Sequence, residues 1–466
     1  MKVDSWSSKS VSSFSDEFKR SSRLAVPLIF SEVIYALSGF LATVMIAHLD
    51  KNHLAANALV WSVYNAVILL FIGILCAVGI LVAQSYGAKD HSGVASSFKQ
   101  GIILSGFFAI FMAIIICLMP EVLRLFDQDP VVIAYAEPFF YSLGWVMLPL
   151  NFFVVAQQFL VAVNRPRIVV VLSTLCVPIE VFFCYVLLFG KWGFPKLGLA
   201  GIGYGLTASF SVCTILFIWY AMVDQSLSKY QLFKGWWKIE IKFFTEIVRV
   251  GFPQGVMWSS ELVFFVVVAV MMGKLGVDTL AAFQIANQYL TVAMVIVFAI
   301  GQTVSVRASN EVGCNNRSGI KLVLIANLVL ALSILSIFCL VYTLFPGQVI
   351  SLDVNLDDLN YQRVVSEALK YFPVVGVCLL IDCLRVSVNG ALRALKDTKY
   401  QLAISMIGFW VISFPVIYFL GFKFSWGGVG VWWGVVIGLL ATGLMLGYRF
   451  IKLVERIELS GLVTRK

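Results

Sequence analysis

The chain has 466 residues, 60% hydrophobic and only 13% charged, with a net charge of +9 at pH 7. Globular domains carry about 25% charged residues, so this balance excludes a soluble core as the destination of so much apolar sequence. The positive charge is read as membrane topology, not as affinity for nucleic acid.

Residues 1–22 are polar and read as a cytoplasmic tail. Apolar stretches of spanning length follow near 23–48, 54–85, 97–119, 132–162, 168–189 and 198–222. The segment 223–243 is a basic, aromatic linker with Lys229, Lys234, Trp236, Trp237 and Lys238. Six more spans are predicted near 244–273, 280–308, 319–346, 363–392, 399–421 and 427–452, and 453–466 reads as a second cytoplasmic tail. The expected fold class is an all-α polytopic membrane protein with twelve transmembrane helices. Pro27 and Pro253 either weaken their helices from within or sit tolerated in the first turn.

Loop charges set the orientation. With the N-terminus inside, the inner loops carry Lys89, Lys99, Arg165, Arg167, Arg317, Lys321, Arg393, Lys396 and Lys399. The outer loops carry Asp127, Asp129, Asp353, Asp357 and Asp358 instead. Both termini are therefore expected in the cytoplasm. The cysteines, among them Cys176 and Cys213, lie singly in apolar runs and read as small core residues, not disulfides. His48, His53 and His91 offer no histidine-based metal or catalytic site.

An internal repeat organises the chain. Val44-Met45 and Leu54-Ala55-Ala56 recur as Val270-Met271 and Leu280-Ala281-Ala282, an offset of 280 − 54 = 226. The same offset pairs Pro27 with Pro253, Gly87 with Gly313, and Ser92-Gly93 with Ser318-Gly319. Later the offset drifts, pairing Gly144 with Gly376 and Gly201 with Gly430. Six helices separate the copies, so the halves, 23–222 and 244–452, have the same orientation. Parallel repeats of this kind occur in transporters, with the substrate at the repeat interface.

Four carboxylates fall inside predicted spans: Glu32, Glu180, Glu261 and Asp382. A charge at bilayer depth costs about 2.5 kcal/mol or more unless paired, hydrated or protonated, so such groups are functional candidates. Glu261 follows Gly251-Phe252-Pro253-Gln254-Gly255 and precedes a long apolar run. Asp382 and Arg385 are three apart and share a helix face, so an ion pair would make Asp382 a gate or an organiser. Tyr35, Gln284, Asn287, Arg385 and Asn389 are candidate residues of a substrate cavity.

Three stretches resemble the multidrug and toxic compound extrusion (MATE) family, especially its NorM-like bacterial branch: Gly251-x-Pro253-x-Gly255 with Glu261, Leu280-Ala281-Ala282-Phe283-Gln284-Ile285, and Asn389-Gly390-Ala391-Leu392-Arg393 with Lys396-Asp397-Thr398. The resemblance covers nearly the whole chain. It implies two six-helix lobes in a V, and antiport of sodium or protons against organic cations or drugs. It implies no cofactor beyond that coupling ion and residence in the lipid bilayer of the bacterial inner membrane; a monomer with no nucleic-acid partner is expected. By position, Glu261 and Asp382 match the family's C-lobe acidic residues linked to cation coupling, the only places where a metal ion (sodium) is expected. The family's first-helix aspartate is replaced by Ala42, and its Pro-Leu-Asn by Pro178-Ile179-Glu180, leaving Glu32 and Glu180 for the N-lobe cavity.

The alternatives are weaker. A major-facilitator transporter expects an acidic, arginine-rich loop where Gln84 to Asp90 stands. A lipid-linked-sugar flippase of the same superfamily expects several basic residues at membrane depth, and only Arg385 is read there. An enzyme would need a clustered motif such as paired aspartates with a metal.

Overall fold

The computed structural model describes residues 13–47, 51–235, 238–352 and 361–464. Among these, twelve helices are long and apolar enough to cross a membrane. They are α1 (Phe14–Ala47), α2 (Lys51–Gly87), α3 (His91–Leu125), α4 (Pro130–Ala162), α5 (Pro166–Phe189) and α6 (Ala200–Val223), then α7 (Ile241–Leu275), α8 (Val277–Gly313), α9 (Arg317–Leu344), α10 (Gln362–Ala394), α11 (Thr398–Lys423) and α12 (Gly427–Arg456). The acidic run at 353–358, Trp236, Trp237 and His48 lie outside the described residues.

The repeat is visible in the backbone. A non-glycine residue in the left-handed region ends the turn after α2 and again after α8: Lys89 at φ 58° and Asn315 at φ 56°. Their offset is 315 − 89 = 226. The next residues, Asp90 and Asn316, cap α3 and α10's neighbour α9 by accepting from the amides of Gly93 and Gly319. Asn164 (φ 59°) and Lys396 (φ 57°) form a second pair, at 396 − 164 = 232. Side-chain caps and left-handed stops are what a helix end requires of its orphan amides and carbonyls.

Several expected boundaries move. α1 starts at Phe14, nine residues before the expected position at 23 (23 − 14 = 9). The reason is a buried ion pair: Glu17 is 0% exposed and accepts from Arg307 Nε at 3.0 Å and Nη2 at 2.6 Å. Ser21 donates to Glu17 at 3.0 Å, and Asn327 donates to Ser21 at 2.8 Å. Two polar residues of that stretch, Glu17 and Ser21, are thus buried with internal partners, while Asp16 and Lys19 are exposed. At the other end Leu459 is buried beyond α12, and Arg317 donates to the carbonyls of Glu455 and Ile457. In the linker, Asp224 caps a helical turn at Gln225–Ser228, and α7 has begun by Ile241. Pro27 and Pro253 both lie inside their helices, which removes the first-turn reading. Cys176 and Cys213 form a disulfide between α5 and α6, with Cα atoms 6.2 Å apart. The 37-residue separation spans one antiparallel helix pair, which residue-by-residue reading of isolated cysteines missed.

The chain divides into two compact units, Phe30–Gly255 with Val463–Lys466, and Val256–Leu462 with the chain's start up to Ile29. The divisions fall inside α1 and α7, not in the linker expected at 223–243. In the first unit, α7 meets α2 backbone to backbone: a Cβ at Gly251 would strike the Ile74 carbonyl, and one at Gly255 the Leu70 carbonyl. Only glycine permits that approach. The second unit is cored by Phe264, Phe283, Phe372 and Trp432.

Candidate functional site

The strongest cluster lies in the second unit, between α7 and α10. Asp382 and Arg385 are one turn apart on α10, and Arg385 Nε donates to Asp382 Oδ1 at 2.5 Å. The rest of the guanidinium reaches α7, donating from Nη2 to Glu261 Oε1 at 2.7 Å and from Nη1 to Oε2 at 3.3 Å. Three of the four carboxylate oxygens are thus taken by one fork. The side chains are 14% (Glu261), 1% (Arg385) and 4% (Asp382) exposed. Such a triad forms because a buried charge without a partner costs several kcal/mol, while a planar five-donor group can satisfy two carboxylates. Two carboxylates against one fixed cation leave room for one more positive charge. A proton or small cation arriving there must compete with Arg385 for oxygen.

Aromatic side chains of α11 close over the triad. Arg385 lies over the ring of Phe409, with its guanidinium carbon 5.3 Å from the centroid. Trp410 donates from its indole to Ser260 Oγ at 2.9 Å, next to Glu261, and Ser260 contacts Met406 Sδ at 3.3 Å.

In the first unit, Glu180 on α5 is buried and accepts from Ser38 on α1 at 2.5 Å. Two turns away, Ser31 and Ser173 are 2.5 Å apart, and Ser173 donates to Tyr35 at 3.2 Å. Ser31, Tyr35 and Ser38 follow helical spacing along one face. Glu180 is therefore held by the Ser38 hydroxyl, with no cationic side chain among the described residues paired to it. Glu32 is half-buried and makes no hydrogen bond or ion pair with another described residue.

The other candidates do not join either cluster. Gln284 is exposed and Asn287 half-buried on α8. Asn389 is buried on α10; its carbonyl accepts from Gln401 at 2.8 Å, and its Oδ1 has no partner. Sequence reading missed Ser260 on α7 and Phe409 and Trp410 on α11, which have no spacing signal to link them. It also missed a second buried arginine in a span: Arg307 on α8, bonded to Glu17 and 3.5 Å from Glu311. The i, i+4 spacing of Arg307 and Glu311 was legible. Among the described residues no three His, Cys, Asp or Glu side chains converge to hold a metal ion.

The MatE family model matches residues 27–186 and 253–419, one block for each repeat. The chain belongs to the MatE family. It is 28% identical over 450 residues to the probable multidrug resistance protein NorM of Rhizobium meliloti (strain 1021), covering 97% of this chain and 96% of that protein. A NorM protein of the same description from Pseudomonas putida is 29% identical over 436 residues, covering 93% and 94%. The crystal structure of the eukaryotic MATE transporter AtDTX14 matches with a TM-score of 0.80 at 20% identity, covering 96% of this chain and 97% of that one. A multidrug resistance MATE family transporter in an outward-facing conformation matches with a TM-score of 0.85 at 17% identity, covering 95% and 97%. The MatE chain is thus a multi-pass membrane transporter, not an enzyme.

Proposed function

We propose that this MatE chain is a multidrug exporter that exchanges sodium ions or protons for lipophilic or cationic organic molecules. The observation that carries the reading is the pair of buried carboxylates, Glu261 and Asp382, sharing one guanidinium with charge left over. The multidrug-resistance names of the NorM relatives support the substrate class. Antiport needs cation and substrate to act on the same equilibrium in opposite senses, and a ligand shifts that equilibrium only by its differential affinity. When a proton or sodium ion sits on the pair, Arg385 loses an oxygen partner and the cluster no longer attracts an organic cation. Reciprocity then requires substrate to weaken cation binding by the same factor. Glu180 and Glu32, with no arginine beside them, serve the first unit's cavity as attractors for positive charge.

Residence in a bacterial inner membrane with both termini in the cytoplasm is supported by the lysine and arginine of the expected inner loops. The flippase reading gains nothing from Arg385 and Arg307, since each is committed to carboxylates instead of open to phosphate. The test is ethidium transport by purified protein in liposomes with sodium and pH gradients imposed separately. Wild type should carry ethidium against one of them, and Glu261→Gln and Asp382→Asn should abolish the gradient dependence while the protein remains folded. Gradient-driven transport at the wild-type rate by both variants would refute the coupling role.

A further inference from the structure

Helix α11 is irregular where it faces the triad. It is π-helical over Ile407–Ser413 and again over Phe419–Lys423, and Phe414 donates its amide to the carbonyl of Phe409, five residues back. The cause is local. Pro415 has no amide hydrogen to give the preceding turn, and a wider turn re-satisfies the freed carbonyls. The stretch is pinned from its other side by α12, because Ser413 donates to the Gly434 carbonyl at 2.9 Å, and a Cβ at Gly408 would strike Thr442. Two neighbouring aromatics consequently point to α7 and α10 together. Phe409, 2% exposed, lies over Arg385 and tilts against Phe264 with centroids 5.0 Å apart. Trp410 holds Ser260, the residue before Glu261.

We infer that Phe409 is a positioning residue: the π-helical stretch of α11 presses its ring on Arg385, so that the guanidinium keeps both Glu261 and Asp382 until a coupling cation displaces it. The inference rests on the coupling role proposed for that pair. A ring face attracts a guanidinium most where water is excluded. Without it Arg385 is held by the carboxylates alone, and its grip on them loosens. The ring touches the arginine, not the cation, so its effect is on how readily the pair accepts a proton. The charged and titratable groups beside Arg385 are Asp382 and Cys378 on α10 and Glu261 on α7, and Cys383 lies beside Asp382. From α11 and α12 the described neighbours are uncharged: Phe409, and Gly443, whose Cβ position is 3.8 Å from Arg385 Cβ.

Trp410 supplies a reporter that needs no substrate. Full-length protein labelled with 5-fluorotryptophan in detergent would be titrated with pH by fluorine NMR, the Trp410 resonance being assigned by its loss in Trp410→Phe. The wild-type resonance should titrate with one midpoint. In Phe409→Leu that midpoint should rise by about half a pH unit or more, about threefold in proton affinity. Phe409→Tyr, which restores a ring, should return it to the wild-type value. Phe283→Leu, removing another buried ring of the same unit, should leave it unmoved. An unchanged midpoint in Phe409→Leu, an equal rise in Phe283→Leu, or no titration in wild type would each overturn the inference. If the midpoints move as expected while ethidium crosses against neither gradient, the positioning role stands and the exporter reading falls.

Discussion

The two repeats place different chemistry at matching positions. With the offset of 226 that holds from Pro27 to Gly87, Glu261 corresponds to Tyr35 (261 − 226 = 35). With the offset of 232 that pairs Gly144 with Gly376 and Asn164 with Lys396, Arg385 corresponds to Phe153 (385 − 232 = 153). In the second unit those positions make a salt bridge of 2.7 Å. In the first, Tyr35 and Phe153 meet edge to face, with centroids 6.4 Å apart. One helix pairing therefore accepts either an ionic or an aromatic contact, and the first unit's carboxylate, Glu180, has moved to α5 and a hydroxyl partner. What separates the units is not helix packing but whether a fixed cation is built into the site.

That contrast can be broken from either side. The largest effect is expected at Arg385→Ala, which strands two buried carboxylates; loss of one partner of a buried pair costs about 3–5 kcal/mol. Thermal unfolding in detergent should show it, and Glu261→Gln added to Arg385→Ala should recover part of the loss. A full recovery by Glu261→Gln would mean that Asp382 bears no strain from the missing arginine. Next, Tyr35→Glu should destabilise the first unit by roughly 1–3 kcal/mol, because it puts a carboxylate without a cationic partner at a half-buried position. Adding Phe153→Arg should offset this if the two pairings are interchangeable; a double variant no better than the single would show that they are not.

Smaller effects sharpen the comparison. Glu180→Gln loses one charge-assisted hydrogen bond from Ser38 and no ion pair, so about 1–2 kcal/mol is expected, less than for Arg385→Ala. The smallest change is expected at Asp224→Asn, at the end of α6: asparagine caps as well as aspartate, so only the charge facing Arg165 3.7 Å away is lost, about 0.2–1 kcal/mol. Burial raises the Asp224 carboxyl pKa, but hydrogen bonds from Ser226 and Tyr220, with Arg165 nearby, outweigh it and leave the pKa below its usual 3.8. A lowered folded pKa gives stability that is present above the unfolded value and lost as pH falls through the folded one. Unfolding measured from pH 6 down to pH 3 should therefore show the wild-type advantage over Asp224→Asn shrinking only at the acid end.

Most of the fold was legible because a spanning helix announces itself by length and apolarity, and because the repeat confirmed each span twice. Glu261, Asp382 and Arg385 were legible for the same reason: charge inside an apolar run is conspicuous. Their joining by one guanidinium was half legible, since spacing gave the Asp382–Arg385 pair but no pattern in sequence links α7 to α10. The start of α1 was misplaced because Glu17 and Ser21 look solvated until Arg307 and Asn327 are brought to them. Phe409 was hidden among many aromatics, and a π-helical turn leaves no periodicity of its own.

The start of α1 also has a history in time. Glu17 and Arg307 are 290 residues apart, and Ser21 and Asn327 are 306 apart, yet each pair is in contact. At ribosomal rates of about 5–20 residues per second, tens of seconds pass between the two partners' synthesis. The early turns of α1 are thus packed late. Through that interval Glu17 has no arginine, so water or lipid headgroups at the membrane boundary must hold it. The second repeat faces no such delay, because Glu240, just before α7, finds Ser96 already in place, 3.0 Å away in the finished fold. The two repeats thus share a backbone plan but not an order of assembly, and the opening segment stays open to chaperones and proteases until the second half of the chain arrives.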